Sequence, residues 1–293
     1  MKSVWRAVTA GALAASVSAV ASGSVFAADM QMPYKAAAPV AMPVSGYDWS
    51  GFYVGGHIGG GWSTTNFSDP STIGVLDQCC FLLGEENNAT APSGGTASSF
   101  LGGAQIGWMY QVQRLVVGMD VDWSGMRATS SGGFSYPLGG TATGTATESY
   151  GVTTNWTATA TATVGIAKDR WMLYSKAGGA LANNSYSLNI AGSGGAFAGP
   201  GTPFAFSSAT SDTITGWTVG AGVKWALTDN LFFNVEYNYL DFGSKSENFS
   251  GTFTATPACF TGTSCAAANL NPVFQQHISE VKAGLNLKFA PIW

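Results

Sequence analysis

The side chains of this chain that could do chemistry are few, and several stand two residues apart. Asp120-x-Asp122, Glu280-x-Lys282 and His277-x-Ser279 each put two reactive groups on one side of an extended backbone. Lys176, Lys224, Glu236 and Lys288 add isolated charges. Amines and carboxylates removed from water together make a paired network, whereas the same groups lining a water thread make a channel. His277 and Ser279, with Asp241 as a third member, would supply the base, nucleophile and orienting carboxylate that acyl transfer needs. Cys79, Cys80, Cys259 and Cys265 lie in Gly/Ser/Thr/Asn-rich segments, where an exported protein forms disulfides. Cys259 and Cys265 could form a local bridge, a vicinal Cys79–Cys80 bond would be strained, and three pairings are open. Neither His57 nor His277 is near these cysteines, so no metal and no cofactor are expected.

The elements that hold the charges are strands. In His277–Phe289, Val281, Ala283, Leu285, Leu287 and Phe289 alternate with Glu280, Lys282, Gly284, Asn286 and Lys288. One face is apolar and the other small or charged. Seven further stretches repeat the pattern: Trp49–Trp62, Ser99–Gln111, Leu115–Gly125, Thr154–Ala167, Trp171–Ala182, Thr213–Ala226 and Leu231–Phe242. On the second face the second stretch carries Gln105, the third Asp120 and Asp122, the fifth Tyr174 and Lys176, and the seventh Asn234, Glu236 and Asn238. Short turns follow the second, fourth and sixth strands. Longer Gly/Ser/Thr/Asn-rich segments, read as loops, run to Ser98, to about Gly151, over 183–212 and over 243–276.

Eight strands of about ten residues, joined alternately by short turns and long loops, predict an all-β, eight-stranded antiparallel up-and-down transmembrane barrel. Trp62, Trp108, Tyr110, Trp123, Trp156, Trp171, Trp225, Tyr237 and Tyr239 fall near strand ends, as interfacial girdles do. The competing fold is a secreted β-sandwich, whose exposed faces should be rich in Lys, Glu and Arg. Here the second face is Gly, Thr, Ser and Asn, and charged residues make up only 10% of 293 residues. Asp120, Asp122, Lys176, Lys224, Glu236, Glu280, Lys282 and Lys288 are therefore expected inside the barrel, which at this strand number side chains fill. The net charge of −4 argues against a nucleic-acid partner. Lys2 and Arg6, an Ala/Val-rich stretch and Val25-Phe26-Ala27 read as a cleaved signal peptide over 1–27; a buried N-terminal helix is the other reading. Residues 28–46, with three prolines, read as a flexible periplasmic segment, and 47–293 as the barrel.

Three stretches resemble the porin-family surface antigens of α-proteobacteria, small outer-membrane proteins with an OmpA-like eight-stranded barrel. They are Trp49–Gly56; Gly216–Gly222 continuing through Leu227-Thr228-Asp229-Asn230 to Glu236-Tyr237 and Asp241-Phe242-Gly243; and Val281–Phe289. Lys282-x-Gly284-x-x-Leu287-x-Phe289 looks like the signal read by the barrel-assembly machinery, which the resemblance implies as a partner during insertion. Family members usually end on that aromatic, whereas Ala290-Pro291-Ile292-Trp293 follow here, so either Phe289 or Trp293 would serve. The resemblance implies a protein of the cell outer membrane of a Gram-negative bacterium. It implies a role in envelope integrity, contact with lipids including lipopolysaccharide, and host or extracellular ligands at the loops. A narrow channel is the alternative. The His277, Ser279, Asp241 arrangement is similar to that of lipid A deacylases, but strand rims facing headgroups are commonly polar, and enzymatic activity is not expected. His57 is expected to hydrogen-bond inside the lumen.

Overall fold

The computed structural model describes residues 46–68, 93–138, 144–193, 203–255 and 267–289. Its strands are β1 (Gly51–Ser68), β2 (Ser93–Val112), β3 (Leu115–Leu138), β4 (Gly144–Lys168), β5 (Trp171–Ser193), β6 (Pro203–Ala226) and β7 (Leu231–Ser246). The short β8 (Phe249–Thr252), β9 (Thr254–Ala255) and β10 (Ala267–Leu270) follow, and then β11 (Val273–Phe289). Eight of them form a ring in the order β5-β4-β3-β2-β1-β11-β7-β6, and β6 pairs back onto β5 to close it. Every pairing in the ring is antiparallel. Phe52 of β1 lies opposite Phe289 of β11, so the first and last strands meet at the short-turn end. Closure is what makes the fold viable in lipid, because it leaves no strand edge with unpaired backbone groups.

The short turns are tight. Gln113 and Asp169 open two-residue hairpin loops and take the positive φ that such loops need, 57° and 53°. At the same end Ala167 N–H reaches Arg114 O at 2.7 Å and Ala226 N–H reaches Arg170 O at 2.9 Å, tying neighbouring turns together. Phe52, Trp108, Trp171 and Trp225 face outward near this end; Trp62, Trp123, Trp156 and Trp217 do so about eight to ten residues along their strands. Ten residues of strand at a tilt of ~40° rise about 25 Å, the height of an outer-membrane apolar band. Within the band the outward side chains are apolar and exposed, Met119 at 66% among them.

The strands do not stop at the upper girdle. Among the described residues, the segments read from the sequence as long loops are in large part continuations of the wall. β3 pairs with β4 as far as Leu138 opposite Gly144, and β5 with β6 as far as Ser193 opposite Pro203. The reason lies in the side chains. Within the membrane band of β5, Leu173 and Leu181 face out while Tyr174 and Lys176 are buried; farther along, Ser185, Ser187 and Asn189 face out while Tyr186, Leu188 and Ile190 are buried. The alternation persists but its polarity is reversed, because the surroundings change from lipid to water. A pattern sought as apolar-outward therefore fades where the strand leaves the membrane. In β4 the extra residue Asn155 adds a bulge, so that Thr154 and Thr157 both point inward across it. Asn155 Nδ2 donates to Asn183 Oδ1 at 3.0 Å and Ser185 Oγ at 3.1 Å.

The inward apolar side chains of the extensions form one core, built from Phe67, Tyr150, Val152, Tyr186, Leu188, Ile190, Phe204, Phe206 and Phe274. The connection between β7 and β11 contributes Phe249, Phe253 and Leu270 to it. β8 pairs with β10, β9 pairs with β6, and Ser208 Oγ donates to Ser250 O at 3.0 Å. The four cysteines, the signal-peptide reading and residues 28–45 lie outside the described residues.

The reversal gives a direct test. Met119→Arg, in the middle of the lipid band, is expected to cost about 2–4 kcal/mol of unfolding free energy. Thr129→Arg, on the same strand and face above the girdle, should stay within about 0.5 kcal/mol. Urea titration of protein refolded into lipid vesicles measures both, and equal costs would refute the placement of the membrane.

Candidate functional site

The lumen is where the eight sequence-selected charges were expected, and the structure buries all eight. Six of them form one network across the barrel. Lys176 of β5 sits 2.8 Å from Glu236 Oε1 of β7 and 3.7 Å from both Asp120 Oδ2 and Asp122 Oδ2 of β3. Lys282 of β11 lies 2.7 Å from Asp122 Oδ1 and 2.9 Å from Glu280 Oε2. Asp122 thus receives an ammonium from each side, and the contact between Lys282 and Asp122 closes a span of 160 residues.

The other oxygens are occupied by neutral donors. Three threonines of β4, each two residues from the next, serve three carboxylates. Thr157 donates to Glu280 Oε1 at 3.0 Å, Thr159 to Asp122 Oδ2 at 2.5 Å, and Thr161 to Asp120 Oδ1. Tyr174 OH donates to Glu236 Oε2 at 2.6 Å, and Asn238 Nδ2 to Glu236 Oε1 at 2.9 Å. A buried charge is tolerable when it is both paired and hydrogen-bonded, and this cluster meets both conditions. Room for it comes from small residues on the inner face. Gly59 lies opposite Lys282, and a Cβ there would collide with the carbonyl oxygen of Val281.

Two of the eight charges sit apart. Lys224 makes no ion pair among the described residues. Its Nζ is 3.4 Å from Tyr53 OH and from Met109 Sδ, and it lies over the rings of Tyr53, Tyr174 and Phe232 at 4.7, 4.9 and 5.4 Å. This is a cation held by aromatic faces. Lys288 is at the short-turn mouth, where its Nζ donates to Asp48 O and lies 4.2 Å over the Tyr47 ring. Tyr47 is outside the strands, and burial pushes its hydroxyl up to about 12.

Further layers accompany the charge cluster, and the sequence reading did not name them as a network. Gln105 Nε2 donates to Asn286 Oδ1 at 2.5 Å and to Asn234 Oδ1 at 3.2 Å, while Asn286 Nδ2 reaches Asn234 Oδ1 at 2.7 Å. At another level, Gln276 joins Asn184, Ser63 and Thr154 at 2.6, 2.9 and 2.9 Å. His57 Nε2 shares a hydrogen bond with Ser124 Oγ at 2.8 Å. Trp49, Tyr53, Met109, Met172, Tyr174 and Phe232 form an apolar layer at the short-turn end. The inward parity of Gln105, Asn234, Asn286 and His57 was legible, whereas Ser63, Asn184 and Gln276 fell in segments read as loops; which of them meet depends on the shear between strands.

The three rim residues each make contacts of their own. His277 lies opposite Asp241 in register, and its ring centroid is 6.0 Å from that of Tyr239. Ser279 Oγ bonds Tyr237 OH at 3.1 Å, and Asp241 Oδ1 accepts the Gly243 amide at 2.8 Å. No hydrogen bond joins His277 to Ser279 or Asp241 among the described residues. Of the residues read as an assembly signal, Lys282 and Gly284 face the lumen and Leu287 and Phe289 face outward; Trp293 lies outside the described residues.

The model of the outer membrane protein beta-barrel domain family matches residues 7–256. The chain belongs to this family. As a member of the outer membrane protein beta-barrel family it is a protein of the outer membrane, and its ring of eight antiparallel strands is the structure that crosses it. It is similar to the 31 kDa outer-membrane immunogenic protein of Brucella melitensis, with 28% identity over 79% of this chain and 87% of that protein. The 25 kDa outer-membrane immunogenic protein of Brucella abortus is 26% identical over 79% of this chain and 83% of that one. Among solved structures, OprG of Pseudomonas aeruginosa aligns with a TM-score of 0.36 and 12% identity over 84% of this chain and 99% of that chain. Neisserial surface protein A aligns with a TM-score of 0.30 and 14% identity over 82% and 98%.

The network separates its lysines. Lys282→Met strips Asp122 and Glu280 of their nearest ammonium and is expected to cost about 3–5 kcal/mol. Lys224→Met puts a thioether among aromatic rings and leaves no carboxylate without an ion-pair partner, so its effect should be near zero or stabilising. Unfolding free energies from denaturant titration of the two variants check this contrast.

Proposed function

We propose that this protein is a closed structural and surface barrel that contributes to envelope integrity and to interactions at the cell surface. The observation that carries this reading is the packing of the lumen. Hydrogen-bonded amide layers, an ion-pair network and an aromatic layer succeed one another between the two mouths. The extension core, with Phe249, Phe253 and Leu270 from the last connection, lies above them. A barrel filled by side chains has no water column for solutes to follow.

The parts that face the surroundings support the same reading. The outward band and its girdles suit contact with membrane lipids, lipopolysaccharide included. The wall above the girdle offers a large surface to extracellular or host ligands. The names of the Brucella relatives describe them as immunogenic, which fits display of this part of the fold. The outward Leu287 and Phe289 support a reading of this strand by the barrel-assembly machinery, with either Phe289 or Trp293 as the terminal aromatic.

The test is electrical. Purified protein inserted in planar bilayers is expected to give no stable conductance steps. Glu236→Gln with Glu280→Gln should lower unfolding stability and leave the bilayers silent. Stable steps from the native chain, altered by these substitutions at unchanged stability, would establish the narrow channel instead.

A further inference from the structure

The outward face of the extracellular wall has an unusual composition. Above the girdle, β3 presents Thr129, Ser131, Gly133 and Ser135; β4 presents Thr153, Gly151, Ser149 and Thr147. In register beside them come Ser185, Ser187, Asn189 and Ala191 of β5, then Ser211, Ala209, Ser207 and Ala205 of β6. These four rows hold only Ser, Thr, Asn, Gly and Ala. Neighbouring strands share hydrogen bonds across the face. Thr129 and Thr153 hydroxyls are 3.0 Å apart, Ser135 and Thr147 2.8 Å, and Ser207 Oγ donates to Asn189 Oδ1 at 2.8 Å. The face is also concave. Ser131, Gly133, Thr147, Ser149, Gly151 and Asn189, with Phe134 and Tyr150, line an open groove of about 720 Å³.

We infer that this groove binds a neutral, hydroxyl-rich polysaccharide chain, that of the glycolipid surrounding the barrel in the outer leaflet. The inference deepens the surface-interaction reading above and rests on it. Charge selects the class. A charged partner would be desolvated against four rows that hold no counter-charge, the exposed Arg127 standing at their foot below Thr129, and an apolar partner would strand the hydroxyls and amides; a sugar chain meets both donors and acceptors. Backbone pairing excludes an added peptide strand on this face, because β4 and β5 are hydrogen-bonded on both sides. Direction selects the source. The face belongs to the outer side of a barrel wall, so it looks sideways along the membrane and not away from the cell. Its lowest row, Asn155, Asn183 and Thr213, stands next to Trp156, Leu181 and Trp217 of the upper girdle. What stands beside the wall at that height is the sugar portion of neighbouring glycolipids. Many weak hydrogen bonds along one flexible chain add up through effective concentration once the chain is anchored nearby.

The experiment uses the full chain refolded in detergent micelles. Calorimetric titration is run with the polysaccharide split from purified lipopolysaccharide by mild acid, and separately with the lipid A fraction that remains. The native chain should bind the lipid-free polysaccharide. The triple variant Ser131→Ala, Ser149→Ala, Asn189→Ala should bind it at least tenfold more weakly, while Gln275→Arg, exposed on β11 away from the groove, leaves it unchanged. All substituted side chains point outward, and retained heat-modifiable gel mobility verifies folding. Absence of binding to the lipid-free chain, equal binding by the triple variant, or binding of lipid A alone would overturn the inference. So would sedimentation showing that the face instead joins two copies, with Ser149→Arg converting a dimer to a monomer. None of these results bears on bilayer conductance, so the closed-barrel reading stands or falls separately.

Discussion

An eight-stranded ring encloses a space that only side chains can fill, and every charge admitted there must be neutralised without bulk water. This constraint organises the molecule. It explains why Lys176 sits among three carboxylates, why Lys282 bridges Asp122 and Glu280, and why β4 supplies a threonine at every second residue to the oxygens left over. These contacts join β3, β4 and β5 to β7 and β11 across the lumen, in addition to the ladders around it. Lys224 obeys the constraint differently, through aromatic faces in place of a carboxylate.

A second constraint acts from outside. The same strand passes from lipid into water, and the side-chain alternation answers by exchanging its polarity. Below the girdle, charge is inside and apolar surface outside; above it, aromatic residues are inside and hydroxyls outside. The two halves are therefore stabilised by different physics. The membrane half relies on satisfied backbone and paired polar groups, since lipid offers no hydrophobic drive to fold inward. The upper half relies on ordinary burial of apolar side chains from water, with Phe249, Phe253 and Leu270 completing the core.

The long last connection has a clear part in this arrangement. β7 leaves β6 after Asp241, and Gly243 takes a φ of 62° there. Without a neighbour on that side, the upper part of β6 would carry an open edge and an uncovered aromatic face. β9 pairs with part of the edge, and β8 with β10 lies against the inner face. A sheet edge in water invites association unless something covers it.

The sequence by itself determined the class of fold, the number and order of the wall strands, and the parity of nearly every membrane-band residue. It could do so because alternation in a strand is a local property, readable from neighbours two apart. It also selected eight of the charges that the structure buries, but not Glu148 or Glu247, which lie in segments read as loops. The length of the strands escaped it, because the loop reading assumed one polarity throughout, and Ser185-Tyr186-Ser187-Leu188-Asn189-Ile190 carries the opposite one. Tertiary structure alone decided which charges meet. Asp122 and Lys282 become partners through closure and shear of the ring, and nothing within ten residues of either specifies that. The same holds for Gln105 with Asn234 and Asn286, and for the rows of hydroxyls on the outer wall, whose members come from four strands and form a surface only once the register is set.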